Sequence, residues 1–299
     1  MAGKFVTSLG LVGLVGAAAF DARQARPAKR GCLVSDDGPV QQTARSMLPR
    51  QAAANLPSNF TVDVHFHLAS TEEDENLITD AIVNAQWKVL HDAFARFNIN
   101  LNLASTERVV DNKTGQAFLV YEGPEKGYTY YAEELQNYMV SSRKGGYDEL
   151  NLYFYSKYSP GATGYCVWPT TLAEDDVVGH GIDSCQLSAM TMPGFTAEQG
   201  AFSEWNMGHL AVHEAGHWFG LNHTFAGSCG ATGDFVADTP SQRWEVYGCP
   251  IGSDTCPDSP GLDPIHNYMG YTQDNCTNEF TPGQKTRMFE TFFGYRRKL

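Results

Sequence analysis

The stretch from residue 213 to residue 223 constrains this chain more than any other. It has the form His-Glu-x-x-His-x-x-Gly-x-x-His, with His213, Glu214, His217, Gly220 and His223 at the fixed positions. On a helix, histidines four positions apart lie on one face, close enough for both imidazoles to reach one metal ion. Glycine suits the left-handed conformation that ends a helix, so the chain can turn back with the third histidine. The motif therefore predicts a helix, a tight turn and a zinc site with three nitrogen ligands.

The same motif predicts a catalytic zinc site. Three protein ligands leave a fourth position open for water, and zinc lowers the pKa of such a water toward about 7. Glu214, next to the first ligand, is placed to accept the proton. His209 lies on the same helical face, but a rise of about 1.5 Å per residue puts it roughly 12 Å from His217 along the axis. We expect one zinc ion held by His213, His217 and His223, with His209 outside the site.

The N-terminus indicates secretion. Lys4 precedes an apolar run from Leu9 to Phe20, which predicts a signal peptide over residues 1–19. A buried core helix is the alternative, but the polar, arginine-rich segment that follows offers it no partner surface. Residues 20–57 are predicted to be a pro-segment or linker, and residues 58–299 the catalytic domain. Four Asn-x-Ser/Thr sequons agree with a secreted, extracellular protein: Asn59, Asn112, Asn222 and Asn275.

Composition excludes several classes of partner. The formal net charge is −13, so the chain lacks the basic surface that nucleic acid or an acidic membrane needs. A mean hydropathy of −0.33 argues against multiple membrane spans. We expect a monomer that acts on extracellular protein or peptide substrates, with no nucleic-acid partner and no membrane association after the signal peptide is removed.

Periodicity predicts an α/β (α+β) fold with a mixed, mainly parallel sheet. Alternating apolar residues predict a half-buried strand from Phe60 to Leu68. Further strands are predicted at 101–110 and 150–155, helices at 75–97 and 130–142, and two short strands within 161–182. From 223 to 280 the chain is rich in Gly, Pro and Asp, which favours loops. Thr281, Pro282 and Gln284 then have the spacing of a capping box and predict a C-terminal helix.

Two other groups of residues could bind metal or form disulfides. His65 and His67 fall on the polar face of the first strand, where a His-x-His metal site is an alternative that lacks a third ligand nearby in sequence. Of seven cysteines, Cys32 stands alone, and the other six allow 15 disulfide connectivities, among which the sequence cannot choose. No Cys-x2-Cys pair supports a zinc knuckle.

The extended zinc motif resembles that of the metzincin endopeptidases. That clan has a methionine-containing turn beneath the metal, and Met269 occupies a matching position in Asn-Tyr-Met-Gly-Tyr. Within the clan, three segments resemble the pappalysin (cytophagalysin) family, and secreted fungal extracellular metalloproteases in particular. These segments are His-Thr-Phe at 223–225, Gly-Asp-x-Val-x-Asp-Thr-Pro at 233–240 and Phe-Thr-Pro-Gly-Gln at 280–284.

The resemblance, which covers about residues 60–299, implies the following architecture. The fold is expected to be metzincin-like and two-lobed, with the active-site helix between an upper sheet and an irregular lower lobe clamped by disulfides. Met269 is expected to form the hydrophobic floor of the site. Tyr271 is expected to stabilise the oxyanion through its hydroxyl, although a purely packed tyrosine is the alternative. Gly270 departs from the acidic or amide residue expected after the methionine.

The resemblance also implies disulfide pairs and a second cation. The interleaved pairs Cys229–Cys256 and Cys249–Cys276 would leave Cys166 with Cys185. A structural calcium ion could be held by Asp234 and Asp238, although two carboxylates in a loop are more often simply solvated.

Two residues are candidates for regulation and specificity. Cys32 could block the zinc as a thiolate in the pro-segment, although it could also pair between chains or be inert. Because Lys29–Arg30 precedes Cys32, activation would need a later cut near Arg50. Asp274 follows the methionine turn and could favour Arg or Lys after the scissile bond, whereas an outward-pointing Asp274 would leave an apolar pocket.

The sequence therefore predicts a secreted zinc endopeptidase. The competing function is that of a catalytically inactive, zinc-stabilised protein that binds an extracellular partner. The presence of Glu214 and the open fourth coordination position argue for the enzyme, because structural zinc sites usually have four protein ligands.

Overall fold

The computed structural model describes residues 56–158, 163–230 and 232–297. Outside the described residues lie the predicted signal peptide, nearly all of the predicted pro-segment, the Lys29–Arg30 site, Cys32 and Arg50. The hypothesis that Cys32 blocks the zinc therefore stays a prediction. Among the helices of the described ranges, none combines the length and apolarity that a membrane crossing needs.

A five-stranded sheet forms the upper part of the molecule, in the order β2-β1-β5-β7-β6. The first four strands in that order are parallel, and β6 runs antiparallel to β7 at one edge. The bounds are β1 Phe60–Ser70, β2 Ile99–Val110, β5 Leu150–Tyr155, β6 Gly164–Cys166 and β7 Cys185–Ser188; β3 Leu119–Tyr121 and β4 Tyr128–Tyr130 form a separate hairpin. The predicted mixed α/β sheet is confirmed.

Helix α1 (Asp80–Ala95) covers one face of the sheet. The alternating residues Val62, Val64, Phe66 and Leu68 of β1 are buried in the same core as α1. The helix begins five residues later than predicted because the Thr79 hydroxyl caps it, accepting a hydrogen bond from the Ile82 amide. This N-cap ends a series of turns and fixes where the helix starts.

The other sheet face is also covered, so β1 is buried on both faces rather than half-buried as predicted, and His65 and His67 on its polar face are buried. Helix α3 (Ala132–Ser142) lies over this face, following the one-turn helix α2 (Asn112–Gly115) and the β3–β4 hairpin. His65 bonds Ser105 through Nδ1 and Glu149 through Nε2, both at 2.8 Å. His67 stacks on Tyr153 and donates to the Asn151 Oδ1 at 2.8 Å. Both imidazoles are therefore engaged in a buried polar network, and neither belongs to a potential metal-binding group in the described ranges.

The segment after β5 differs from the prediction of two strands within 161–182. Its described part holds only β6, which is followed by the short helix α4 (Val177–Ile182) and by β7, a strand that the sequence did not predict. Cys166 and Cys185 lie directly opposite each other on β6 and β7 and are joined by a disulfide. This covalent link fastens the edge strand to the sheet.

The lower lobe, from about 223 to 280, contains little regular structure. It is crosslinked by the interleaved disulfides Cys229–Cys256 and Cys249–Cys276, each spanning 27 positions. These are the pairs implied by the family resemblance. Such links restrict the unfolded chain, and so they stabilise a lobe that has few helical or sheet hydrogen bonds of its own.

The chain ends in helix α6 (Pro282–Thr291), which continues through a π-helical turn to Arg296. The predicted capping box is present, with the Thr281 hydroxyl and the Gln284 side chain each bonded to the other residue's backbone amide. Arg287 donates to the Gly220 carbonyl at 2.6 Å, and Arg296 donates to the Trp218 carbonyl at 3.0 Å. The C-terminal segment thus binds the end of the zinc-motif helix.

His67 predicts how stability depends on pH. Burial lowers its pKa from 6.5 to about 4, against the opposing effect of the Asn151 hydrogen bond. The unfolded chain therefore binds more protons between these values, and stability falls as pH drops from about 6.5 toward 4. The total loss from this residue is roughly 3 kcal/mol. His67→Gln keeps a donor for Asn151 but cannot titrate, so its urea unfolding free energy should fall less over this range. If the unfolding free energies of wild type and variant fell equally between pH 6.5 and pH 4, His67 would not be the source of this pH dependence.

Candidate metal centre

Helix α5 (His209–Trp218) carries the first part of the motif, and its start is fixed by a buried carboxylate. One oxygen of Asp274, Oδ2, accepts from the backbone amides of Met207 at 2.8 Å and His209 at 3.3 Å. Asp274 is 1% exposed. The carboxylate thus binds free amides at the helix start, and the predicted role of Asp274 in a specificity pocket stays a prediction.

The three motif histidines converge on one point. The Nε2 atom of His217 lies 3.1 Å from those of both His213 and His223. All three rings are buried. His223 is brought back by a turn at Gly220, whose φ of +90° favours glycine. Three imidazole nitrogens at this spacing form the donor set that zinc prefers.

Backbone carbonyls orient two of these rings. The Nδ1 of His213 lies 2.7 Å from the Tyr268 carbonyl, and the Nδ1 of His217 lies 2.8 Å from the Leu221 carbonyl. A carbonyl can only accept, so each Nδ1 carries the proton and each Nε2 keeps a lone pair, directed to the point where the three rings converge. Such outer contacts fix the tautomer and raise the basicity of the ligand.

His209 lies outside the group, as the helix geometry predicts. Its Nδ1 contacts the Thr277 hydroxyl at 2.8 Å, and its ring packs edge-on against Tyr268. In the described ranges one further group, Cys249, His266 and Cys276, has metal-ligand spacing. Its two sulfurs form a disulfide, which removes them as ligands.

Met269 packs beneath the helix. A Cβ at Gly216 would lie 2.4 Å from the Met269 sulfur, so only glycine allows the helix to approach this closely. The Met269 carbonyl also accepts from the Thr224 amide, just after His223, at 3.2 Å. The methionine turn therefore contacts the helix through its side chain and the third-ligand segment through its backbone.

Glu214 lies against the edge strand. A Cβ at Gly164, the first residue of β6, would lie 2.6 Å from the Glu214 Oε1. Glu214 is fully buried. The missing side chain of Gly164 thus makes room for the carboxylate of Glu214, and no sequence motif identified Gly164.

Aromatic rings surround the histidines. The Tyr271 ring lies 5.0 Å from that of His223 and 5.9 Å from that of His213. Phe225 stacks on His223 at 4.8 Å, and Trp168 lies 5.3 Å from His217. Tyr271 therefore sits beside the site as the resemblance implies, whereas the position of Trp168 is apparent only from the fold.

The two candidate calcium ligands have different environments. Both oxygens of Asp238 accept hydrogen bonds at the start of α6, from the Thr281 hydroxyl at 2.7 Å and the Gly283 amide at 2.8 Å. Asp234 is buried, and its Oδ1 accepts from the Val236 amide at 3.0 Å. Burial raises the pKa of Asp234 to about 7, against the hydrogen bonds from the Val236 amide and the Thr239 hydroxyl and the nearby charge of Arg287.

Comparison with known proteins gives the family. The model of peptidase M43, described as pregnancy-associated plasma protein-A, matches residues 186–292. An extracellular metalloprotease of Podospora anserina is 42% identical over 79% of this chain and 73% of its own length. One from Pyricularia oryzae is 40% identical over 82% of this chain and 81% of its own. The chain belongs to the M43 peptidase family.

The fold agrees with this membership. Promirolysin of Tannerella forsythia superposes with a TM-score of 0.61 and 24% identity, covering 80% of this chain and 82% of that one. At this identity the likeness shows a shared fold alone, and that fold is the metzincin type expected from the motif. This M43 protein is a metalloendopeptidase.

Gly164 gives a prediction for the site. In Gly164→Ala the new Cβ meets Glu214, so the carboxylate must move while the three histidines stay in place. A displacement of this size can cost about 10²-fold in kcat. Zinc content should be unchanged, as measured by mass spectrometry of metals. Gly146→Ala is a matched control, because its Cβ would meet only the end of the Asp148 side chain at 3.0 Å and a carboxylate oxygen of Glu149 at 4.0 Å. Equal activity of the two variants would contradict this role.

Proposed function

We propose that this chain is a secreted endopeptidase in which one zinc ion is held by His213, His217 and His223. The proposal rests on the convergence of three Nε2 atoms, with that of His217 3.1 Å from each of the other two and all three within 4.8 Å of one another, on a helix that also carries the buried Glu214. The names of the fungal relatives, extracellular metalloproteases, support secretion. With a net charge of −13, protein or peptide substrates are a better fit than polyanions.

Glu214 acts as the general base in this proposal. A bound zinc ion would supply a more acidic water and polarise the carbonyl of the scissile bond. Glu214 takes the proton from the attacking water and passes it to the leaving nitrogen. Its position next to His213, and its close approach to Gly164, hold the carboxylate on the side of the site that faces the edge strand. A positioned base of this kind contributes roughly 10²–10⁴-fold.

Tyr271 is proposed to stabilise the oxyanion. Its ring packs edge-on against the stacked rings of His223 and Phe225, both at 5.0 Å, so the orientation of the phenol is set by aromatic contacts. A hydroxyl held in a buried site donates more effectively to developing negative charge than one in water. Tyr271 therefore complements Glu214, one residue moving the proton and the other stabilising the charge.

Glu214→Gln tests the general base. The amide cannot accept the proton, so cleavage of casein should fall by about 10²–10⁴-fold while zinc remains bound at one ion per chain. This outcome also separates the protease from an inactive, zinc-stabilised binding protein, whose wild type would not cleave casein even when loaded with zinc. Near wild-type cleavage by Glu214→Gln would mean that another residue is the base.

The ligand set is checked by a matched pair of histidine variants. His223→Ala should lose zinc on dialysis, whereas His209→Ala, which replaces a ring bonded to Thr277, should retain it. Zinc retained by His223→Ala, or lost equally from both variants, would contradict the assignment.

We also propose a structural calcium ion at Asp234 rather than between Asp234 and Asp238. Within the described ranges, the Asp234 Oδ2 and the Thr239 Oγ1 are buried and have no hydrogen-bond partner other than each other. The Thr239 hydroxyl lies beside the Asp234 carboxyl. Oxygen donors of this kind suit calcium, and a cation would offset the cost of burying a carboxylate. Asp238 instead anchors helix α6.

Calcium titration tests this site. Added to zinc-loaded, calcium-free protein, calcium should raise Tm by a few degrees, because a ligand that binds only the folded state stabilises it. Asp234→Asn should abolish the calcium-dependent rise in Tm. Asp238→Asn should lower Tm but retain the calcium-dependent rise. A wild type whose Tm does not respond to calcium would refute the proposal.

A further inference from the structure

A small cavity lies on the side of the sheet away from the zinc-motif helix. Its volume is about 420 Å³, within the range of roughly 300–1,000 Å³ typical of ligand sites. The walls combine three tyrosine rings and one leucine with amide, hydroxyl and charged groups. The lining residues are Thr71, Glu73, Asn112, Gln116, Leu119, Tyr121, Tyr128, Lys157 and Tyr158.

The tyrosines form an exposed aromatic surface. Tyr121 and Tyr128 lie directly opposite each other in the β3–β4 hairpin, with ring centroids 5.1 Å apart. They are 52% and 43% exposed. Neither hydroxyl makes a hydrogen bond within the described ranges. Core packing does not account for two large aromatic rings exposed to solvent on a short hairpin, whereas a binding surface would.

Asn112 at the rim of the cavity is a sequon residue. It is followed by Lys113 and Thr114, and its side chain is exposed. Its Oδ1 accepts from the Glu72 amide at 3.0 Å, which orients the side-chain amide. The Nδ2 has no acceptor among the described residues, so it is the atom available for modification.

We propose that Asn112 carries an N-linked glycan whose first N-acetylglucosamine residues lie in this cavity against Tyr121 and Tyr128. Attachment replaces one Nδ2–H bond with a bond to the anomeric carbon of the sugar. The donor is a lipid-pyrophosphate oligosaccharide, whose pyrophosphate leaves with the electron pair of the C–O bond while the displaced proton goes to solvent. The proposal requires passage through the secretory pathway, as the proposed function does, but it does not depend on catalysis.

The walls of the cavity match this occupant. A pyranose presents C–H bonds on its flat face, and the electron-rich face of an aromatic ring attracts them. The hydroxyl and acetamido groups point outward from the sugar edge, where Gln116, Lys157 and Glu73 provide donors and acceptors. Because the glycan is tethered at the rim, it is present at high effective concentration and needs only weak contacts to dock.

The other sequons do not have this arrangement. Asn222 is 1% exposed and its Nδ2 donates to the Asp234 carbonyl at 3.0 Å, so a glycan there is incompatible with the folded protein. Asn59 and Asn275 are exposed, but neither lines this cavity. The structure thus assigns a docked glycan to Asn112 and excludes one at Asn222.

Glycopeptide mass spectrometry of the full chain secreted by yeast tests attachment. We expect carbohydrate at Asn112 and none at Asn222. Docking is then tested by the rate at which an endoglycosidase releases the Asn112 glycan from the native protein. Release should be about tenfold slower in the wild type than in Tyr121→Ala/Tyr128→Ala, the factor that 1.4 kcal/mol of docking gives. After denaturation the two rates should be equal.

Activity on casein serves as the folding control for the double variant. If it misfolds, Tyr121→Leu/Tyr128→Leu keeps apolar bulk without aromatic faces and should release the glycan faster than wild type. An Asn112 without carbohydrate, a glycan at Asn222 in the folded, active protein, or equal native release rates in wild type and folded variants would each overturn the proposal.

Discussion

The metal centre depends on the placement of helix α5, which buried charged groups hold at both ends. At its start, Asp274 accepts hydrogen bonds from two backbone amides. At its end, Arg296 donates to the Trp218 carbonyl while forming a two-fold ion pair with Asp183, at 2.8 and 3.0 Å. Asp183 and Arg296 are both buried, and removing one partner of such a pair costs about 3–5 kcal/mol. The position of the helix is thus fixed by contacts that join the sheet, the lower lobe and the C-terminus.

Close packing around that helix then determines the chemistry. Gly216 allows the sulfur of Met269 to approach from below, and Gly164 leaves room for Glu214 beside the edge strand. The Cys166–Cys185 disulfide fastens this strand to β7. Each element that faces the three histidines is therefore constrained by a packed neighbour, as a preorganised site requires.

Local patterns in the sequence predicted the elements whose geometry is local. The spacing of His213, His217 and His223 is a property of one helix and one turn, and the capping box at Thr281 involves four consecutive residues. Contacts between residues far apart in sequence were not predicted. Asp274 follows the methionine turn in sequence, yet its carboxylate binds amides 65 and 67 positions earlier. His65 and His67 alternate like exposed residues, but helix α3 covers them.

The difference between local patterns and distant contacts also explains which features around the site were not predicted. Strand β7 has only four residues, too few for periodicity to identify. Gly164 has no motif, because its role is to leave space for a side chain 50 positions away. The disulfide pairs came from family likeness, since spacing alone left 15 connectivities open.

X-ray absorption at the zinc edge tests the central claim most directly. For the purified mature enzyme, freed of the pro-segment, we predict one zinc ion with three imidazole nitrogens at about 2.0 Å and an oxygen ligand completing the tetrahedron. A sulfur ligand at about 2.3 Å in the mature enzyme, or fewer than three imidazoles, would contradict it.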